Sequence, residues 1–310
     1  GLVTAHSLSE KTNYDIKIFE ANSVVGGLAS SGTIDGMSYD CGPHIFHSGH
    51  DDITDFWKDN FGDLLLEKPF YYKNYKDGIL YDYPISWESI EKFPKDIKDK
   101  VKYEIENLKP ENLKRSRNFK ECVEELVGPT LQNIFFEKYT EKLWGISPEK
   151  MSSNWAPKRI HLRRKHKSFW SGQYSACGKY GAGKIMERLS KMSEDNGVGV
   201  YLNHKVIDVK TDGYVITDLV FDNGTSYDVS DSIIVSTIPL NVICKTLDIP
   251  CSLTFNSVRL VYIVFSKDII LPKDVHSIYY AHDDFHFHRI TEQKQYSGYG
   301  YPKDKTLLIF

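Results

Sequence analysis

The chain of 310 residues is long enough for one large domain or two ordinary ones. Its 39 basic and 42 acidic residues nearly cancel, so no global positive field points to nucleic acid, and 41% hydrophobic content is ordinary for a water-compatible globular chain. The 13% aromatic content allows stacking surfaces for rings, and equally an aromatic core. No apolar run approaches the length of a bilayer span, and no signal peptide is visible. The cysteines, Cys41, Cys122, Cys177, Cys244 and Cys251, contain no CxxC pair. Neither a metal site nor a disulfide framework is therefore indicated, and the reducing cytoplasm is the compartment expected.

The chain opens on a segment whose Val3, Ala5, His6 and Leu8 suit a packed helix face. A turn at Asn13-Tyr14 follows, then a strand from Ile16 to Phe19 that ends in Glu20. This is the second half of a βαβ unit, with Gly1 where the last glycine of a G-x-G-x-x-G turn would lie, about 20 residues before the acidic residue. On the length of such units, roughly a dozen residues are expected upstream of Gly1. The last residues, TLLIF, read as an apolar strand with no turn after it, as if interrupted.

Between these ends, residues 51–67 have helical spacing of Ile53, Phe56, Trp57 and Phe61. Tyr71 to Tyr83 reads as a hairpin around Lys76-Asp77-Gly78, and residues 87–150 as mostly helical, punctuated by Pro94, Pro110 and Pro129. Residues 158–167 are a basic run, 179–193 a helix opening at a glycine cluster, and 199–239 successive strands ending in SDSIIVSTIPL, with a hairpin signal at Asp222-Asn223-Gly224. Further strands are expected over 257–310. Periodicity alone gives α/β or α+β.

Several short strings carry chemistry. A carboxylate at the end of IKIFE, Glu20, can accept hydrogen bonds from both hydroxyls of an adenosine ribose, or can be a surface glutamate. Gly26-Gly27, followed by Leu28, lets the backbone approach a pyrophosphate, or is a simple turn. In YDCGPHIFHS, His44 and His47 flank two apolar residues after a Gly-Pro turn, with no carboxylate or cysteine at metal-ligand spacing. Arg159 sits in KRIHLRRKHK, which on charge alone reads as a solvated basic face. Arg289, in an aromatic and histidine-rich strand, is costly to bury without an anionic partner.

The combination of Glu20 with Gly26-Gly27 resembles the FAD signature of the amine oxidase and protoporphyrinogen oxidase superfamily. GPHIFH resembles the flavin-facing loop of the UDP-galactopyranose mutases within it. The resemblance continues through LYDYPIS, EKYTEKLWGISPEKM, SSNWAPKRI and FHRIT, and implies an α/β fold. Its parts would be an FAD-binding Rossmann-like domain, an inserted helical substrate domain and an antiparallel β-sheet. The division expected is 1–50 and 171–256 for FAD binding, 51–170 for the helical domain and 257–310 for substrate-domain strands.

By the same resemblance, Gly1, Glu20, Gly26, Gly27, Leu28, Gly42, Pro43 and His44 would hold the cofactor. Phe46, Tyr83, Tyr139, Trp144, Arg159, Tyr279 and Arg289 would hold the substrate, and His44, Arg159 and Arg289 would serve catalysis. Arginine forks and tyrosine hydroxyls suit a diphosphate. The activity implied is isomerisation of a UDP-sugar between pyranose and furanose forms, with N5 of the reduced flavin forming a covalent adduct, and NADH or NADPH as reductant. The partner implied is a small UDP-sugar, with a homo-oligomer left open. An FAD-dependent oxidoreductase of the amine oxidase or protoporphyrinogen oxidase type is the alternative, and a non-catalytic nucleotide-sugar binder a third reading. Two departures stand out: Ser86 replaces a uridine-contacting glutamine of one branch, and SACGKYGAGK lacks the usual proline.

Overall fold

At Asp77 and Gly78 the backbone takes φ of 50° and 81°, the left-handed pair that closes a two-residue hairpin with the twist of its strands. The turn joins Tyr72–Lys76 to Ile79–Tyr83, as the sequence predicts, and this hairpin forms one edge of the main sheet. The computed structural model describes all residues except Trp155, and of Pro110, Asn112, Lys158 and Arg159 it describes the backbone alone. The chain divides into two units, Gly1–Ile34 with Tyr180–Ser257, and Asp35–Lys179 with Val258–Phe310.

In the first unit, Lys17–Phe19 pairs in parallel with Gly199–Tyr201. The helices Leu2–Lys11 and Gly183–Asp195 pack together. Ile185, Met186 and Leu189 form the buried face of the second. Of the apolar face predicted for the first helix, Ala5 and His6 are buried, whereas Val3 stands 59% exposed on the side the partner helix does not cover. The strands Val206–Asp212, Val215–Phe221 and Ser226–Asp228 make an antiparallel meander, turning at Asp222 to Thr225 where the sequence signals it. Phe19 packs on Tyr201, Phe221 and Tyr227 at ring separations of 4.9–5.2 Å, joining meander to parallel pair. SDSIIVSTIPL departs from expectation. It forms no strand among the described residues, and Ile233 and Val235 are 88% and 57% exposed, so β-propensity there finds no neighbouring ladder.

The second unit holds a six-stranded sheet in the order Tyr262–Phe265, Thr306–Ile309, Arg289–Glu292, Ser277–Tyr280, Tyr72–Lys76, Ile79–Tyr83. All neighbours are antiparallel except the fourth and fifth strands, Ser277–Tyr280 with Tyr72–Lys76. A smaller sheet pairs Phe46–Ser48 and Leu65–Glu67 with Tyr174–Gly178. The helix predicted over 51–67 stops at Phe61, and Leu65–Glu67 turns to strand because it pairs with Tyr174–Gly178.

A helical layer over the hairpin follows the predicted punctuation. Pro94 starts Lys95–Glu106, the Asn118 side chain accepts the Glu121 amide at 2.9 Å to cap Phe119–Val127, and Pro129 opens the next helix. That last helix runs through Pro129–Gln132, a π-turn at Asn133–Glu137 and Lys138–Trp144, ending at left-handed Gly145. Val101, Phe119, Val123, Leu131 and Phe135 fill the core beneath it. No helix among the described residues is long and apolar enough to cross a membrane.

Candidate active site

The register of the main sheet decides which side chains meet. Arg289 stands opposite Tyr279, Tyr279 opposite Asn74, and Asn74 opposite Tyr81. Two residues along, Thr291, Ser277, Tyr72 and Tyr83 face one another in the same way. Residues directly opposed, or two apart on a strand, share a face. One face of the sheet therefore carries Arg289, Tyr279, Asn74, Tyr72 and Tyr83 together. The helix after the π-turn adds Tyr139, whose ring lies 4.8 Å from that of Tyr279, and Tyr83 meets Tyr279 edge-on at 5.7 Å.

Arg289 is the electrostatic centre of this group. Burial opposes its charge, but Tyr279, Tyr296, Tyr139 and Tyr72 outweigh that and hold its pKa above the ordinary value. Tyr279, hydrogen-bonded to Arg289, is itself pushed up by burial, as are Tyr139 and Tyr83. These phenols stay protonated and can donate to an anion without adding charge. No carboxylate pairs with Arg289 among the described residues. Beside it, burial, Arg289 and Lys142 lower the His288 pKa to about 4.

The loop bearing the sequence's sharpest string runs against the same arginine. Gly42 has φ +79°, and a Cβ added there would lie 3.8 Å from a guanidinium nitrogen of Arg289. Pro43 and His44 follow, and the buried Nδ1 of His44 has no hydrogen-bond partner among the described residues. His47 stacks on Trp170 at 3.6 Å and its Nδ1 meets Gln173 Oε1 at 3.2 Å. Phe46, expected on the substrate side, packs on Trp57 at 4.7 Å and does not line the cleft described next.

That cleft, of about 950 Å³, opens beside the sheet face. Tyr83, Pro84, Tyr139 and Tyr279 line it, with Trp144 at the end of its helix, 46% exposed. Other wall residues were not singled out from sequence: Asn74, Phe135, Phe136, Phe169 and Trp170, and from the basic run Arg163, Arg164, Lys165 and Lys167. Arg163 uses its guanidinium on the carbonyls of Ser168 and Phe169, both at 3.1 Å, which folds the run back on itself. Arg164, Lys165 and Lys167 of this segment are exposed and also border the cleft. The signal available was its basic residues running directly into Phe169-Trp170. Arg159 lies on the short helix Ala156–Arg159, but its side chain lies outside the described residues. Ser86 is fully buried and caps the helix Trp87–Ile90, its Oγ accepting the Ser89 amide at 3.0 Å, so it does not stand in for a base-contacting glutamine.

In the first unit, Glu20 ends the strand Lys17–Phe19. Its Oε1 accepts the Asn22 amide and side chain, both at 2.8 Å. Gly26 and Gly27 have φ of +107° and +56°, and a Cβ on Gly26 would come within 3.0 Å of Met186 and 3.2 Å of the Ser30 nitrogen. Leu28, in the turn that follows, is 82% exposed. Gly1 caps the helix Leu2–Lys11, with its Cβ position 3.9 Å from Thr237 Oγ1. A strand-end carboxylate, a helix N-terminus and a left-handed glycine pair on one unit fit the ribose and pyrophosphate of a dinucleotide.

This combination is that of a flavin-dependent enzyme family. Residues 1–261 match the sequence model of flavin containing amine oxidoreductases, and the chain belongs to that family. Over 199 residues it is 24% identical to a probable UDP-galactopyranose mutase of Klebsiella pneumoniae, covering 61% of this chain and 50% of the relative. The chain thus spans about half the length of that curated relative. The crystal structure of a reduced UDP-galactopyranose mutase matches 99% of this chain and 70% of its own at a TM-score of 0.80 and 18% identity. A putative protoporphyrinogen oxidase from Exiguobacterium sp. 255-15 matches 99% and 73% at a TM-score of 0.68 and 15% identity. At these identities the likeness is one of fold, the flavoprotein α/β fold expected from the sequence.

Proposed function

We propose that the intact protein is an FAD-dependent UDP-galactopyranose mutase, interconverting pyranose and furanose forms of a UDP-sugar. The observation that carries this is Arg289, a buried guanidinium ringed by phenols and matched by no carboxylate among the described residues. A buried cation without a counter-ion is costly, and a diphosphate would supply the missing charge. Arg289 and the hydroxyls of Tyr279, Tyr139 and Tyr83 hold the leaving diphosphate, so that it departs and returns without escaping. Arg159 is assigned to the same diphosphate. The aromatic walls exclude water, which would otherwise hydrolyse the activated sugar. Glu20, Gly26 and Gly27 are assigned to the adenosine ribose and pyrophosphate of FAD, and Gly42, Pro43 and His44, by the resemblance, to its ring. FAD, when bound and reduced by NADH or NADPH, would supply the nucleophile.

Expression of the full-length protein, reduction and incubation with UDP-galactose tests the reading. Furanose product that requires the reductant supports it. Oxygen consumption with an amine or a porphyrinogen, and no furanose, would favour the oxidoreductase reading that the family name and the protoporphyrinogen oxidase likeness keep open.

A further inference from the structure

Asn74 is an anomaly of the sheet face. It lies on the rung between Tyr279 and Tyr81, lines the cleft, and is 1% exposed. Its Nδ2 donates to the carbonyl of Ile134 at 2.7 Å. Since a carbonyl can only accept, this bond fixes which way the amide points. Its buried Oδ1 has no hydrogen-bond partner among the described residues.

The nitrogen's role is clear from its position. Ile134 belongs to the π-turn Asn133–Glu137, and the helix that continues from it carries Phe135, Phe136, Tyr139 and Trp144 into the cleft. Asn74 thus ties the cleft's floor to its wall. Any side chain with one donor would serve that purpose, and it does not account for the second polar atom. A buried amide oxygen with no hydrogen bond is destabilising, and is tolerated where a bound group completes it.

We propose that Asn74 is a specificity residue, whose Oδ1 accepts a hydrogen bond from an alcohol group of the bound sugar nucleotide. The assignment rests on the nucleotide-sugar reading above. An acceptor held rigidly between two phenols selects for O–H over C–H at one position of the ligand. A site built to hydrogen-bond a hydroxyl rejects the analogue lacking it more strongly than an apolar pocket rejects an extra group. The alcohol belongs to the hexose or to the ribose, and deoxy analogues separate the two.

The test measures dissociation constants of the intact, FAD-loaded protein for UDP-galactose, its 2-, 3-, 4- and 6-deoxyhexose analogues and its 2′- and 3′-deoxyribose analogues. Wild type is compared with Asn74→Ala. One deoxy analogue is expected to bind wild type about 10-fold more weakly than the parent. On Asn74→Ala that difference should vanish, although the parent itself binds less well. A role confined to tethering Ile134 would weaken all ligands alike and leave their ratios unchanged. Should the alanine variant fail to fold, Asn74→Leu fills nearly the same volume and is read in the same way. Ratios identical in wild type and variant overturn the proposal, with Oδ1 then satisfied by solvent. Failure of wild type to bind UDP at all would overturn the nucleotide-sugar reading itself, a distinct result.

Discussion

Around the glycine pair of the first unit, the groups offered to a ligand are main-chain amides and one strand-end carboxylate, all between Glu20 and Leu28. On the sheet face of the second unit they are side chains, Asn74, Tyr83 and Tyr279 brought together by strand register and Tyr139 added by a helix, with Arg289 opposite Tyr279 outside the cleft lining itself. The first kind of site is set by local conformation: φ of +107° and +56° at Gly26 and Gly27. The second is set by long-range pairing and by electrostatics inside a buried cluster. The two should therefore fail differently. Damage to the first should cost cofactor retention, and damage to the second should cost turnover with cofactor still bound.

The sharpest way to break that contrast is Arg289→Ala. If Arg289 pairs with the diphosphate as proposed, turnover in the full-length protein should fall by about 100-fold or more, since a charge-assisted partner is lost from a buried site. Flavin absorbance per protein should stay at the wild-type value. Loss of flavin together with activity would show that the arginine serves the fold or the cofactor rather than the diphosphate.

Gly26→Val should give the complementary result. The side chain would be strained at φ +107° and would press on Met186 at about the 3.0 Å of the added Cβ. Strain of this kind costs on the order of 1–3 kcal/mol. FAD should be lost on gel filtration, and activity should return in part when FAD is added in excess. A variant that keeps its flavin would place the pyrophosphate elsewhere.

How much of each site the sequence disclosed follows from the same contrast. Glu20 and the glycine pair stand in one short string, and the structure gives them the strand end and left-handed turn that the string implies. Arg289 could be flagged from its aromatic, histidine-rich context, but Tyr279 only through a family resemblance, because nothing in their spacing shows that they oppose each other across two strands. Asn74 was invisible: between Lys73 and Tyr75 it reads as an ordinary polar position in a hairpin. The basic run is exposed at Arg164, Lys165 and Lys167, as charge alone suggested, and its bordering of the cleft was not legible from charge. The strand expected at SIIVS failed for another reason, since strand propensity is realised only beside a partner.

A pH series probes the second unit's reliance on buried neutral groups. Burial and nearby Lys68 lower the His276 pKa to about 4, and its neutral Nδ1 accepts the Tyr71 amide at 3.1 Å. A histidine with a depressed pKa binds a proton more readily when unfolded, between about 6.5 and 4. Its stabilising contribution is therefore complete above about pH 6.5 and is lost as pH falls toward 4. The melting temperature should drop by about 5 °C between pH 7 and pH 5, and His276→Asn should flatten that slope. An unchanged slope would assign the acid sensitivity to other groups.

The smallest effect should come from the cleft's exposed cations. Arg164, Lys165 and Lys167 line the cleft, and no ion pair holds them among the described residues. Being exposed, they act through a field that salt screens over about 10 Å at 0.1 M, whereas Arg289 is buried and acts at contact. Lys165→Ala combined with Lys167→Ala should weaken UDP binding only about 3-fold at low salt, and hardly at all at 0.5 M. The effect should fall on the association rate, since rim charges steer encounter more than they hold the complex. A salt-independent loss as large as that of Arg289→Ala would mean that the basic run grips the diphosphate directly, and that the division between a buried gripping cation and an exposed steering segment is wrong.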